Sequence, residues 1–237
     1  MVGRHLLAHV ADSHLARFDQ PVHQWSTAPG TLLSQEHYGT QPGRGFSGGW
    51  SWMTSSLFPA EFAITLARAG PGWWGEQLVR ELHAYPPYAL LGTEGECLPN
   101  PDNRVELSDD VDEYGVPQPR VTFSYGDNEN ATREEMHRVA TGIMEAAGAT
   151  KVIISEGNDH TMGGCRMGDD LATSVVDRDL RTWDHRNLFV CDASVFVTSG
   201  GAQPSQTIMA LATRLADHLD HRGARSTGAA AAIPASS

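Results

Sequence analysis

The side chains best able to do chemistry lie between His160 and Leu219, in the blocks HTMGGCRMG (160–168), SVVD (174–177), NLFVCDASVF (187–196) and GGAQPSQTIMALATRLADHL (200–219). Gly163, Gly164 and Gly168 let the backbone fold tightly just after His160, which predicts an imidazole held on a rigid turn. Imidazole titrates near neutral pH and can act as a general base. The segment LFVCD reads as a strand ending in Asp192, whose carboxylate would stand where the C-terminal edge of a sheet meets a ligand. Gly200 and Gly201 lead to Gln203 and Pro204, and Ser205 is placed to cap a helix whose N-terminal amides face the same crevice. Glycine approach, strand-end carboxylate and helix N-terminus together describe the edge of a site for an anionic or electron-rich cofactor. Each residue has a plainer reading: eleven histidines cannot all be catalytic, and Asp192 could simply cap a turn.

The elements that must position these residues follow from patterning. Residues 1–30 start in mid-pattern at the apolar stretch Leu6 to Val10, so the chain reads as cut from something longer. Glycines and aromatics crowd residues 30–59, predicting a packed irregular loop region. Residues 60–84 have helical spacing interrupted at Gly70-Pro71-Gly72. TEGECLPNPDNRVELS reads as strand, turn and strand, and RVTFSY as a further strand, which predicts an antiparallel sheet. Met136, Val139, Ala140, Ile143, Met144 and Ala147 recur at helical spacing, with Thr132 and Glu135 placed as a capping box and Gly148 at the end. Ile208, Leu211, Ala212, Leu215 and Leu219 mark one face of a last helix, and the tail from Arg222, rich in Ala, Ser and Gly, is expected to be disordered.

Composition narrows the function. Twenty-nine Asp and Glu against 17 Lys and Arg give a formal net charge of -12 at pH 7, which repels a phosphate backbone and argues against nucleic acid as partner. Three cysteines, Cys97, Cys165 and Cys191, are too few and scattered for a disulfide framework or a Cys-rich zinc site. There is neither an apolar run long enough for a membrane span nor a leading secretory signal, so the default compartment is the cytoplasm. His5, His9, His14, His23 and His37 have no carboxylate or cysteine at a local ligand spacing, and packing roles are favoured over a metal. Trp50, Trp52, Trp73 and Trp74 could stack on a sugar ring, though core filling is the expectation.

Two motifs are decoys. Gly43, Gly45 and Gly48 form a nominal GxGxxG, but no apolar strand precedes it and Pro42 interrupts the entry. Gly45-Phe46-Ser47-Gly48-Gly49 is a formal GxSxG, which makes a serine hydrolase using Ser47 the rival reading from another enzyme class.

The four ordered blocks at 160–168, 174–177, 187–194 and 200–212 resemble the C-terminal signature of the glucose-methanol-choline (GMC) flavoprotein oxidoreductases. LPNPDNRVEL resembles that family's substrate domain, and VGRHLLAH the passage after its flavin-binding half. The resemblance implies an FAD-dependent oxidoreductase acting on the CH-OH group of an alcohol or sugar, with His160 as the base over the flavin. Gln203 stands where most members have Asn or His. Its amide can hydrogen-bond the substrate oxygen but cannot act as a base. By the same resemblance, Asp192 and Ala193 contact the ribityl or diphosphate region of FAD, and Gln203, Pro204 and Thr207 lie beside its ring system. No metal is implied.

The expected fold class is α+β: an antiparallel-sheet substrate-binding domain with helices, joined to the C-terminal strand and helix of an incomplete FAD-binding α/β domain. Residues 1–30 would end the FAD-binding portion, 31–155 form the substrate domain, 156–221 carry the catalytic loop and the C-terminal FAD-binding portion, and 222–237 the tail. The family's N-terminal dinucleotide motif is not in this sequence, so a separate N-terminal FAD-binding half is the implied partner, beside a small alcohol or sugar substrate. A truncated product, one half of a split enzyme and a non-catalytic remnant all remain compatible with the sequence.

Overall fold

The computed structural model describes residues 1–26, 28, 30–69 and 73–230, the side chains of 222–230 excepted. In chain order the elements are β1 (Leu6–Arg17), β2 (Leu33–Ser34), β3 (Trp50–Thr54), α1 (Pro59–Ala69), α2 (Gly75–His83), β4 (Tyr88–Gly95), β5 (Arg104–Val111), β6 (Pro117–Thr122), α3 (Asp127–Ala146), β7 (Lys151–Ser155), β8 (Asn158–Gly163) and α4 (Ser205–Ala230). The architecture is α+β, as the alternating strand patterns predicted.

β1 organises the fold because it is twelve residues long and hydrogen-bonded on both sides. One edge pairs antiparallel with β4; the other pairs with β8 over its first half and β7 over its second. β3 and then β2 extend the sheet beyond β4. Segments 1–30 and 31–155 therefore share one sheet, and no break in it coincides with residue 30.

Strand alternation sends neighbouring residues to opposite faces. Leu15 and Leu90 pack on Phe62 and Leu66 of α1 and on Leu78 and Leu82 of α2. Their neighbours Ala16 and Leu91 pack on Ala140 and Met144 of α3. With helices on both faces, the central strands read as near-continuous apolar runs such as Tyr88-Ala89-Leu90-Leu91. On the α3 face Asp12 is fully buried, bonded to His137 Nε2 (2.8 Å), Arg133 Nε (3.0 Å) and the Gly157 N–H (3.0 Å). Those contacts overcome the desolvation that would raise its pKa and hold it below the ordinary carboxyl value.

Several local expectations are corrected. α3 begins six residues earlier than the capping box at Thr132 suggested: Glu129, not Glu135, closes the N-terminus, accepting from the Gly126 N–H at 2.9 Å. Thr132 is inside the helix, its hydroxyl donating to Asn128 O, while Glu135 pairs with Arg44. Gly148 does end the helix, at φ +96°, with the Ala149 N–H closing onto Met144 O. LFVCD makes a single bridge, Phe189 to Arg181, rather than a strand, because no extended neighbour runs beside it among the described residues. α4 continues to Ala230 past Arg222; the stretch has no proline to stop it, and 231–237 lie outside the described residues. The Gly70–Gly72 break also lies outside them. No helix among the described residues is long and apolar enough to cross a membrane.

Candidate active site

α1 and α2 cover only part of their face of the sheet. The remainder, with Ala11 and Ser13 of β1, Met53 of β3 and Gly92 and Glu94 of β4, floors an open cavity of about 240 Å³ rimmed by Glu61, Arg68 and Asp159. His160 stands beside this cavity, on β8 rather than on the glycine turn that the sequence suggested.

The position of His160 comes from a bulge. β1 and β8 pair Leu7 with Met162 and then His9 with Asp159, so His160 and Thr161 together oppose Ala8. A bulge of this kind re-aims a side chain. His160 takes φ +48°, a left-handed conformation that costs a non-glycine residue on the order of 1 kcal/mol and is concentrated at functional sites. Its own N–H is anchored to Asp159 Oδ1 at 2.7 Å.

The re-aimed ring meets two residues that local spacing could not reveal. His160 Nδ1 lies 3.1 Å from Nδ1 of the fully buried His9, the rings edge-on at 78°. It also lies 3.7 Å from Glu94 Oε1. Burial pushes the Glu94 carboxyl up and the His9 imidazole down from their ordinary pKa values. Glu94 Oε2 is buried with no hydrogen-bond partner in the protein. His9, Glu94 and His160 bring three potential ligand atoms within 4.8 Å of one another, a spacing that a divalent cation could also use.

Gln203 reaches the same carboxylate: its Nε2 donates to Glu94 Oε1 at 3.1 Å. The loop before α4 is held down for this. Ser51 Oγ donates to Gly201 O at 2.7 Å, and the Cys97 N–H donates to Ser199 Oγ at 2.8 Å. A Cβ on Gly201 would sit 2.7 Å from Gly49 O, so only glycine allows this approach. Glu94 thus ties together the two side chains singled out in the sequence.

The remaining predicted residues flank this centre. Asp192 caps a one-turn 3-10 helix, its Oδ1 accepting from the Ser194 N–H at 2.8 Å, and its carboxylate is exposed. Asp192, Ala193 and Ser194 form one wall of an open cleft whose other wall is Thr161, Met162 and Gly163. Pro204 is buried and its carbonyl accepts from the Ile208 N–H at 3.0 Å, while Thr207 is exposed on the first turn of α4. His9 and Glu94 were missed as site residues; the only sequence signal for them was that β1 and β4 carry polar groups inside apolar strands.

The rival centres have no such geometry. Ser47 is exposed, exchanges hydrogen bonds with Asn128 through its backbone, and precedes strand β3, the reverse of a strand-turn-helix elbow. Gly43, Gly45 and Gly48 likewise lead into a strand, not a helix. Trp50 is fully buried and stacks on His37, Trp73 packs in the core, and Trp74 is exposed.

In three dimensions the chain is similar to part of several oxidases. It superposes on pyridoxine 4-oxidase from Mesorbium loti with a TM-score of 0.62 at 18% identity, covering 93% of this chain and 44% of that one. For formate oxidase from Aspergillus oryzae RIB40 the TM-score is 0.60 at 14% identity, over 93% and 47%. The chain therefore shares the fold of part of each of these structures. Residues 99–212 match the family model described as GMC oxidoreductase, and the chain belongs to that family as a C-terminal part. It is 30% identical to 2-methyl-1,2-propanediol dehydrogenase of Mycolicibacterium austroafricanum over 94% of this chain and 42% of that protein. It is 32% identical to the fructose dehydrogenase large subunit of Gluconobacter japonicus over 73% and 36%. The chain spans less than half the length of these relatives.

Proposed function

We propose that this chain supplies the catalytic and substrate-binding side of an FAD-dependent oxidoreductase acting on the CH-OH group of an alcohol or sugar. The observation that carries the reading is the convergence of His160 and Gln203 on Glu94, beside an open polar cavity. Two of the relatives are named for a diol and a sugar as substrates, and one neighbouring structure is titled for its FAD modification.

The residues fit a flavin along one side. The cleft between Thr161–Gly163 and Asp192–Ser194 opens beside His160, one wall carrying an exposed carboxylate suited to hydroxyl groups. Asp192 and Ala193 would border the ribityl or diphosphate part, and Gln203, Pro204 and Thr207 the ring system. FAD would supply the acceptor for a hydride from the substrate carbon. His160 takes the proton of the substrate hydroxyl, and the Gln203 amide, whose Nε2 donates to Glu94 Oε1 and Met53 Sδ, orients the substrate oxygen. The diphosphate-binding half is proposed to come from a separate N-terminal segment.

The test is to add such a flavin-binding half and follow anaerobic flavin reduction with a diol or sugar as donor. His160→Ala should lower the reduction rate roughly 10²-fold or more while flavin binding is kept. Equal rates for parent and variant would remove His160 from the chemistry.

A further inference from the structure

We infer that His9 is a positioning residue that fixes the tautomer of His160, so that Nδ1 of His160 carries the proton and Nε2 presents the lone pair. This deepens the reading of His160 as a base, and rests on it for its catalytic meaning.

The argument runs through a chain of contacts in which each donor is dictated by the one before. His9 Nε2 lies 3.2 Å from the Ser199 carbonyl oxygen in a buried setting. A carbonyl oxygen only accepts, so Nε2 of His9 must hold a hydrogen. His9 is fully buried, which disfavours a charged ring and lowers its pKa. A neutral imidazole with its hydrogen on Nε2 has a bare Nδ1. That bare atom faces His160 Nδ1 at 3.1 Å, and two lone pairs cannot face each other at that distance, so His160 Nδ1 donates.

The carboxylate on the other side agrees. Glu94 Oε1 is 3.7 Å from the same His160 Nδ1, so negative charge lies next to the hydrogen. On the opposite edge of the ring, Asp159 Oδ2 stands 3.9 Å from Nε2, beyond hydrogen-bond reach, on a side chain 62% exposed to solvent. Its pull on Nε2 is weak and screened. With Nδ1 protonated, His160 is neutral only if Nε2 is bare, and Nε2 is the atom left to meet a substrate hydroxyl. A solvated imidazole prefers the other tautomer, so the relay Ser199, His9, His160 reverses the default.

The experiment uses the whole chain without added flavin, labelled with nitrogen-15 in histidine, and reads ring tautomers from long-range proton–nitrogen correlation spectra at a pH where the ring is neutral. The parent should show His160 hydrogenated at Nδ1 and His9 at Nε2. In His9→Leu the acceptor is gone, and the His160 signal should move toward the Nε2-hydrogenated form. In His9→Asn, whose amide oxygen stands near the old Nδ1, the parent tautomer should return. A parent spectrum with His160 hydrogenated at Nε2 overturns the proposal even if His9→Leu fails to fold, and so does an unchanged His160 tautomer in a folded His9→Leu. If the parent tautomer is as stated but His160→Ala leaves flavin reduction intact, the relay stands and the base assignment falls.

Discussion

Glu94 Oε1 accepts a hydrogen bond from Gln203 Nε2 at 3.1 Å, joining β4 to the residue two before α4. The same oxygen is 3.7 Å from His160 Nδ1, so one partly buried carboxylate sets the spacing between both candidate catalytic side chains. Glu94→Leu should leave the sheet intact, since the strand hydrogen bonds are backbone bonds, yet free both partners. With a flavin-binding half supplied, flavin reduction should fall at least about tenfold, the scale of one hydrogen bond of about 1.4 kcal/mol lost in the transition state. Flavin binding should persist, and an unaltered reduction rate would show the contact to be incidental.

Gly163 sits at φ +76°, and a Cβ there would lie 2.1 Å from the His5 carbonyl oxygen where β8 meets β1. Gly163→Ala combines left-handed strain with a backbone clash and should cost more than about 2 kcal/mol. Urea denaturation gives the value directly. A loss under about 0.5 kcal/mol would mean that the β1–β8 pairing is looser than described.

His14 is fully buried, its ring nitrogens make no hydrogen bond of ordinary geometry, and burial lowers its pKa to about 4. The folded state therefore keeps His14 neutral where the unfolded chain protonates it near 6.5. Its contribution to stability is fully present above about pH 6.5 and is lost as pH falls toward 4, by at most about 3 kcal/mol. In His14→Leu the stability difference between pH 7 and pH 4.5 should shrink; an equal difference in both proteins would place the acid sensitivity elsewhere.

Asp12 is buried between Arg133, His137 and the Gly157 N–H, and its lowered pKa means that its stabilisation persists above the ordinary carboxyl value and is lost as pH falls through the folded value. Asp12→Ala should cost about 3 kcal/mol, because the Arg133 guanidinium, the His137 ring and a backbone donor lose their acceptor. It should also speed amide exchange at Gly157, in the turn between β7 and the strand that carries His160. Destabilisation without faster exchange there would show that the turn is held by other contacts.

The sequence by itself determined the local elements whose causes are local. The helical spacing from Met136 to Ala147, the glycine that ends α3 and the turn chemistry between β4 and β5 are written in neighbouring residues, and these elements form, although α3 starts earlier than its patterning placed it. The ordered blocks from His160 to Ala212 likewise carried the family, because a family signature is a property of the chain and not of its packing. Tertiary structure alone decided the site. His9 and His160 are 151 positions apart, Glu94 and Gln203 are 109 apart, and they meet only because β1 pairs with β4 on one edge and β8 on the other. Strand parity puts His9 and Glu94 on the face that α1 and α2 leave partly open, and a bulge turns His160 toward them. LFVCD shows the converse, since a strand needs a hydrogen-bonding neighbour along its length, and apolar alternation cannot supply one.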